Sequence, residues 1–309
     1  MKTPFHSLAI TTATLFSLFL SLSSFVAAQE SYIVVERHSK RVLLAENSEQ
    51  KVTIGSFSQL ATAKVVLDWA KLSGTPLSSV MVVPGGISDS GLRNSLNLQT
   101  GDRISMRDAL YSLSLIQDNG SALVLADYVG RHLLAKRGKR GNPYDAFTQE
   151  MNNLAAVLDM KSTRFKSPAG GFGKTKISDL AKLAAYALKT NGYDFYMKQK
   201  SRSVTVKRVS GVSQSLRLTS TNKLLESMSI SGLMVEGSNS VISANKKNVV
   251  RKLADGRAVI TPRQLIVVSF GPLNRDVRIK QLINTGWQHY EAWRAQGFPN
   301  SATGKEFLR

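Results

Sequence analysis

The sequence predicts an α+β protein in which an antiparallel sheet packs against helices and a helical subdomain is inserted between the first and the later strands. Strand-like segments occur near both ends of the chain, and amphipathic helical segments fill the middle. Near residue 203 the apolar period changes from helical to strand-like. Strands at both ends that enclose a block of helices are typical of one sheet covered by helices.

The elements can be placed in order from their periodicity and their turn residues. Strands are predicted at residues 31–37, 41–45, 80–83, 229–235, 249–254 and 264–269. Helices are predicted at residues 58–72, 106–117, 121–136, 144–158, 177–189 and 274–295. Ser73-Gly74 ends the first helix, and Asp118-Asn119-Gly120 separates the second from the third. We expect one domain over residues 29–297 and a polar tail over residues 298–309.

Residues 1–28 are set apart from this fold. Lys2 is the only charged residue before Glu30, a long apolar run covers residues 8–26, and small residues end the segment at Ala28. This is the pattern of a secretory signal peptide. An uncleaved anchor is the alternative, but the many Ser and Thr residues in the run favour cleavage. We therefore expect an exported protein, periplasmic or extracellular, with no transmembrane span after signal cleavage.

Composition excludes several classes of site. The chain has no cysteine, so no disulfide stabilises it in an oxidising compartment. Its four histidines are scattered, and no metal-ligand spacing occurs, so we expect no metal and no other cofactor.

The chain carries a formal charge of +20, which favours polyanionic partners. Basic residues cluster at 131–140, 198–208 and 246–252. No aromatic residues are interleaved with them, and an exported protein does not meet nucleic acid, so we expect none as a partner. Cell-wall polymers, lipopolysaccharide and anionic lipid are the candidate polyanions, although solvated surface is the alternative for any single cluster.

The stretch Gly55-Ser56-Phe57-Ser58-Gln59 opens the first apolar helix and permits two interpretations. Ser-x-x-Gln is a capping box, in which Ser56 bonds the Gln59 amide and Gln59 reaches back to Ser56. It is also a serine nucleophile motif of the S-x-x-K type that has lost its lysine. Literal S-x-x-K matches occur at Ser220–Lys223 and Ser243–Lys246, but neither opens a convincing apolar helix.

The order of segments from residue 31 to residue 290 resembles the serine D-Ala-D-Ala carboxypeptidases, which are low-molecular-weight penicillin-binding proteins with a β-lactamase/transpeptidase-like fold. The resemblance rests on Val-Leu-Leu-Ala-Glu-Asn at 42–47, on residues 96–110 and 119–130, on Phe-Lys-Ser-Pro-Ala-Gly-Gly at 165–171, and on residues 178–184, 265–271 and 278–287. Many members of that family carry a second, β-rich domain and an amphipathic anchor. Neither is visible here, so we expect a single domain held at most by its charge.

The resemblance implies catalytic positions through the motifs S-x-x-K, S-x-N and K-T-G. Ser56 keeps the nucleophile position, whereas Gln59 replaces the basic lysine. Gln117 replaces the second serine, and Asn119 keeps the asparagine. Where the third motif should bind substrate, the chain has Val235-Glu236-Gly237 and no lysine, and Glu236 would repel the terminal carboxylate of a substrate.

Three hypotheses about function follow. The first is a catalytically impaired homologue that acts by binding in the cell envelope, with a peptidoglycan stem peptide or an anionic envelope polymer as partner. The second is an active carboxypeptidase that trims terminal D-Ala with a rearranged base. Lys64 is a candidate for that base, although it lies about two helical turns beyond Ser56. The third is an unrelated use of the cleft.

Overall fold

The computed structural model of the chain describes residues 30–171, 173–189, 193–226, 230–236, 240–272 and 274–298. The strands are β1 Ser31–Glu36, β2 Arg41–Glu46, β3 Lys51–Thr53, β4 Val80–Val82, β5 Arg103–Ser105, β6 Lys174–Lys176, β7 Ser201–Lys207, β8 Ser213–Thr219, β9 Ile230–Glu236, β10 Ser240–Lys252 and β11 Ala258–Phe270. The helices are α1 Ser58–Ser73, α2 Met106–Ile116, α3 Asn119–Lys136, α4 Pro143–Val157, α5 Ile177–Ala187, α6 Tyr193–Met197 and α7 Arg275–Ala295. Short 3-10 turns lie at Gly55–Phe57 and Lys223–Glu226.

A five-stranded antiparallel sheet joins the two ends of the described chain, in the order β2-β1-β11-β10-β9. The register pairs Ser31 with Phe270 and Glu36 with Leu265. The predicted antiparallel sheet, with helices inserted between its first and later strands, is therefore confirmed. The predicted strand at 249–254 is too short, because the hairpin strand β10 already begins at Ser240.

Alternating residues of the sheet point into two separate apolar layers, as the period of two requires. Ile33, Val35 and Ile266 face the larger core, which α1, α2, α3, α4 and α5 complete. Val34, Leu265 and Val267 face α7. Gly286 permits the close approach of α7, since a Cβ there would lie 2.8 Å from Val34 Cγ1.

The inserted region holds the predicted helices within a few residues of their predicted bounds. Their ends follow from capping residues: Asp118 accepts a hydrogen bond from Ser121 N at the start of α3, and Gly74 ends α1 with φ 70°. Two small sheets that the sequence did not predict accompany the helices, with strand orders β3-β6 and β4-β5-β7-β8. Of these six strands, only β4 was predicted from the sequence. Three of the five that were missed, β3, β5 and β6, have three residues each.

The predictions of a signal peptide at residues 1–28 and of a polar tail at residues 298–309 concern residues outside the described part of the chain, Phe298 excepted. Among the described residues, no helix combines the length and the apolar character needed to cross a bilayer.

Candidate active site

Ser56 lies in the 3-10 turn between β3 and α1 and is partly exposed. The preceding residue, Ile54, is anchored by a hydrogen bond from its backbone nitrogen to the carbonyl oxygen of Gly173, at 2.8 Å. On the other side, Gly170 has φ +117° and approaches so closely that a Cβ there would lie 2.9 Å from the carbonyl oxygen of Gly55. The turn that presents Ser56 is therefore held from two directions.

Gln59 is fully buried in the first turn of α1 and faces a group of oxygen atoms. Its Nε2 lies 2.7 Å from Asn119 Oδ1, 3.2 Å from the Ala169 carbonyl and 3.4 Å from the Gln117 carbonyl. The Asn119 amide nitrogen, in the alternative orientation of that side chain, also reaches the carbonyls of Ala169 and Gln117, each at 3.2 Å. In either arrangement the two side chains share one contact of 2.7 Å, next to two backbone carbonyls.

Gln117 and Asn119 reach the site from the connection between α2 and α3. Gln117 ends α2 in a left-handed conformation with φ 51°, and its Nε2 contacts Thr221 Oγ1 at 3.4 Å. Asn119 begins α3, and its backbone nitrogen donates to the Arg93 carbonyl at 2.9 Å. The predicted positions 59, 117 and 119 are thus brought together, although the roles assigned to them stay predictions.

The capping box predicted at the start of α1 is wrong for Gln59, whose side chain does not bond back to the backbone of Ser56. Ser56 lies inside a helical turn, and the residues that precede the 3-10 turn and α1, Ile54 and Phe57, make no side-chain cap. Gln59 Oε1 is buried without a hydrogen-bond partner, so it does not accept from the Ser56 backbone. Gln59 turns inward because its amide nitrogen finds the carbonyl oxygens of Gln117 and Ala169 as acceptors there.

Lys64, the candidate for a rearranged base, is held by other partners. Its side chain is 2% exposed and forms an ion pair with Asp68, one turn further along α1. The ammonium lies 4.2 Å from the centre of the Tyr186 ring. Burial, followed by the charge of Asp68, raises the pKa of Tyr186, whose hydroxyl donates to Asp68 at 3.3 Å. Because Asp68 lies further from Ser56 along the helix, this pairing contradicts the assignment of Lys64 as base.

The strand predicted to hold the third motif is β9, and it runs next to the 3-10 turn of Ser56. Val235 pairs with Val241 and Glu236 pairs with Ser240 of β10. Gly237 lies outside the described residues. β9 therefore borders the turn of Ser56, and the substrate-binding role of Val235 and Glu236 stays a prediction.

Neither literal S-x-x-K match forms a helical nucleophile motif. Ser243 and Lys246 both lie on β10, where residues three apart point to opposite faces. Ser220 follows β8 directly, and Lys223 is exposed in the 3-10 turn beyond it.

Sequence reasoning missed two contributors to the site. The Ala169 carbonyl contacts Gln59, and its segment is fixed where Thr62 Oγ1 donates to the Pro168 carbonyl at 2.7 Å. Thr221 contacts Gln117 from the segment after β8. The only sequence signal for Ala169 was the Pro-Ala-Gly-Gly turn at 168–171. The sequence pattern offers no signal for Thr221.

Comparisons with known proteins agree with the predicted fold and family. The family model described as D-alanyl-D-alanine carboxypeptidase matches residues 22–238, more than half of the chain. A D-alanyl-D-alanine endopeptidase of Pseudomonas aeruginosa is 34% identical over 146 residues, which are 46% of this chain and 41% of that protein. D-alanyl-D-alanine carboxypeptidase DacD of Escherichia coli is 26% identical over 280 residues, 84% of this chain and 63% of that protein. This chain spans between 41% and 64% of the length of the curated relatives that it matches.

Solved structures show the same fold. The Streptomyces K15 DD-transpeptidase aligns with a TM-score of 0.68 and 21% identity over 83% of this chain and 96% of that one. Penicillin binding protein 6B from Escherichia coli aligns with a TM-score of 0.64 and 23% identity over 84% of this chain and 77% of that one. The predicted transpeptidase-like fold is therefore confirmed.

Proposed function

This chain belongs to the D-alanyl-D-alanine carboxypeptidase family, and from that premise we propose that it is an exported, catalytically impaired member that acts by binding peptidoglycan in the cell envelope. The family supports peptidoglycan as the partner. The loss of catalysis and the binding role rest on the side chains that occupy the cleft.

The observation that carries the proposal is that a buried glutamine, rather than a base, occupies position 59. Ser56 needs a base to become a nucleophile, because a serine hydroxyl is almost fully protonated at neutral pH. Gln59 occupies the lysine position of the family motif, is fully buried, and uses its amide nitrogen as a donor to oxygen atoms. An amide has no useful proton affinity, and loss of a general base lowers a rate by about 10²–10⁴-fold.

Lys64, the alternative base that the sequence named, and two of the histidines have other partners. Lys64 pairs with Asp68. His38 Nδ1 contacts Glu36 at 3.0 Å, and the His132 ring stacks against Trp69 and Tyr128. These contacts favour a binding protein over an active carboxypeptidase with a rearranged base.

The substrate side of the cleft supports the same conclusion. The resemblance aligns Glu236, on β9, with the region where the family motif K-T-G would present a cation to the substrate carboxylate. A like charge near that carboxylate weakens binding of stem peptides and of penicillin in the reactive orientation. Contact with peptidoglycan then depends on other surfaces of the protein as well as on the cleft.

Two assays on the purified protein and its Ser56→Ala variant test the proposal. We expect no D-Ala release from an acyl-Lys-D-Ala-D-Ala peptide by either protein, and pelleting of both with insoluble peptidoglycan. Release by the unmodified protein that disappears in Ser56→Ala would contradict impaired catalysis and support the active carboxypeptidase. Failure of both proteins to pellet would contradict the binding role.

A further inference from the structure

A cluster of cations, here called the basic ladder, lies on the outer face of β3, β6 and the neighbouring segment at Arg164. Lys51 is directly opposite Lys176 in the β3–β6 pair, and Arg164 is directly opposite Lys174 in a bridge. Directly opposite residues share a face of a sheet, so these four side chains project to the same side. Val52 and Thr175, on the alternate positions, face inward.

The basic ladder is poorly neutralised within the molecule. Lys176 pairs with Glu49 at 3.0 Å, and Lys174 donates to the neutral hydroxyl of Thr53 at 3.0 Å. Within the described ranges, no acidic side chain forms an ion pair with Lys51, Arg164 or Lys174. Like charges placed directly opposite on a sheet destabilise it. Two such pairs lie on this one small ladder. Because folding alone does not favour opposed cations, their presence indicates a surface that binds a ligand.

A groove of about 590 Å³ borders the basic ladder. Lys51 and Arg164 line it, together with the hydroxyl residues Ser162 and Thr163. The one carboxylate in its lining, Asp159, is paired with Lys161 at 3.2 Å and Lys182 at 3.5 Å. The groove thus offers two cations without an acidic partner, Lys51 and Arg164, to a ligand.

The basic ladder adjoins the candidate active site. Thr53 ends β3 three residues before Ser56, a distance of at most about 10 Å along the chain. The segment after Arg164 leads to Ala169, whose carbonyl contacts Gln59. A polymer that lies on the ladder would therefore keep the cleft at the surface of the wall.

We propose that the basic ladder binds a phosphodiester-bearing polymer of the cell envelope. Its cations recur at about 5 Å across the strands and about 7 Å along a strand, which suits a chain with repeated charges better than a single carboxylate. Arg164 supplies a guanidinium fork that matches the oxygens of a phosphate group, and the lysines supply point charges. The proposal rests on the proposed function in placing the protein in the envelope, and it names a partner that the cleft does not recognise.

Fluorescence anisotropy with a labelled synthetic poly(glycerol phosphate) tests the proposal. The test variant is Lys51→Gln/Arg164→Gln/Lys174→Gln. The control, Lys136→Gln/Lys139→Gln/Arg140→Gln, removes the same charge from exposed residues of another basic cluster. If about three phosphates are contacted, affinity of the unmodified protein should fall by roughly 20–50-fold between 50 and 200 mM salt. The test variant should lose most of that dependence and bind at least about 10-fold more weakly at 50 mM salt, whereas the control variant should bind almost as the unmodified protein does.

Thermal unfolding separates lost binding from lost folding. Because the test variant removes like-charge repulsion, its melting temperature should equal or exceed that of the unmodified protein. Equal losses of affinity in the test and control variants would overturn the proposal, since the attraction would then belong to the whole surface. The D-Ala release and peptidoglycan-pelleting assays do not use this polymer, so the two proposals can fail separately.

Discussion

At the scale of single residues, the surroundings of position 59 suit the hydrogen-bond donors of a lysine ammonium better than those of the glutamine amide. The carbonyl oxygens of Ala169 and Gln117 lie within 3.4 Å of Gln59 Nε2, and Asn119 Oδ1 lies 2.7 Å from it in one orientation of the Asn119 amide. An ammonium group has three hydrogens to donate, whereas an amide has two, and its own carbonyl oxygen also needs a partner. Gln59 Oε1 has no partner, which costs about 1–3 kcal/mol for a buried acceptor. The surroundings of position 59 therefore still suit a cation.

Gln59→Lys should restore part of the missing chemistry. The new ammonium would lie among the same oxygens and could act as base for Ser56, so we expect labelling of the protein by a fluorescent penicillin to become about 10²-fold faster. The gain should stay near 10²-fold, the lower end of the range of about 10²–10⁴-fold for a general base, because Gln117 and Glu236 are unchanged. The measurement is the rate of covalent labelling on a denaturing gel.

Two control variants make this prediction specific. Gln59→Met has similar length and no proton affinity, and it should show no gain. Ser56→Ala in the Gln59→Lys background should abolish the label. Equal labelling of the Lys and Met variants would show that position 59 does not supply the base.

At the scale of elements, the hairpin of β7 and β8 depends on one buried carboxylate. Asp102 is 1% exposed and accepts from Arg208 at 2.7 Å and from the backbone nitrogens of Gln99 and Val209, each at 3.0 Å. Burial alone raises the pKa of Asp102, but the hydrogen bonds from Gln99, Arg208 and Val209 outweigh burial and hold the pKa below its ordinary value. Asp102 thus ties the loop before β5 to the end of the hairpin.

Asp102→Asn should lower the free energy of unfolding by about 1–3 kcal/mol at neutral pH, because it breaks a buried charge-assisted bond to Arg208. A carboxyl whose pKa is lower in the folded state contributes stability above its unfolded pKa, and that contribution is lost as pH falls through the folded pKa. The difference between the two proteins should therefore shrink below about pH 4. Urea unfolding over a pH series measures it.

An exposed ion pair provides the comparison. Asp255 is 46% exposed and pairs with Arg257 in the turn of the β10–β11 hairpin. Asp255→Asn should change the free energy of unfolding by less than about 0.5 kcal/mol. If both variants lost equal stability, the assignment of the Asp102 contact as a structural tie would be wrong.

At the scale of the whole molecule, the dominant property is the excess of 41 Lys and Arg over 21 Asp and Glu. Such an excess destabilises a compact state through self-repulsion, and salt screens the repulsion over a Debye length of about 10 Å at 0.1 M. The opposed cations of the basic ladder are one local instance of this repulsion.

The melting temperature should therefore rise with ionic strength, by about 2–4 °C between 10 and 500 mM NaCl, which corresponds to about 1 kcal/mol. Differential scanning fluorimetry without polyanions measures the shift. The variant Lys136→Gln/Lys139→Gln/Arg140→Gln, with three fewer positive charges, should show a smaller rise. A melting temperature that falls with NaCl would contradict dominant self-repulsion.

Local periodicity was enough to predict β1, β2 and the long helices, because each is stabilised by an apolar pattern within its own segment. The resemblance to the carboxypeptidase family, rather than any spacing, singled out Ser56, Gln59, Gln117 and Asn119. The structure brings residues 59, 117 and 119 together, and their roles stay predictions. The three-residue strands β3, β5 and β6 were missed, since strands so short form only where a partner distant in sequence lies alongside them.

The same limit applies to the site. The Ala169 carbonyl and the unpaired Oε1 of Gln59 are set by packing between segments 110 residues apart, and no pattern along the chain encodes such a contact. The basic ladder draws its cations from residues 51, 164, 174 and 176, which sheet pairing alone makes neighbours. Composition therefore established the charge of this protein, and the resemblance of its segments indicated its family, whereas folding in three dimensions decided where that charge is concentrated and what surrounds position 59.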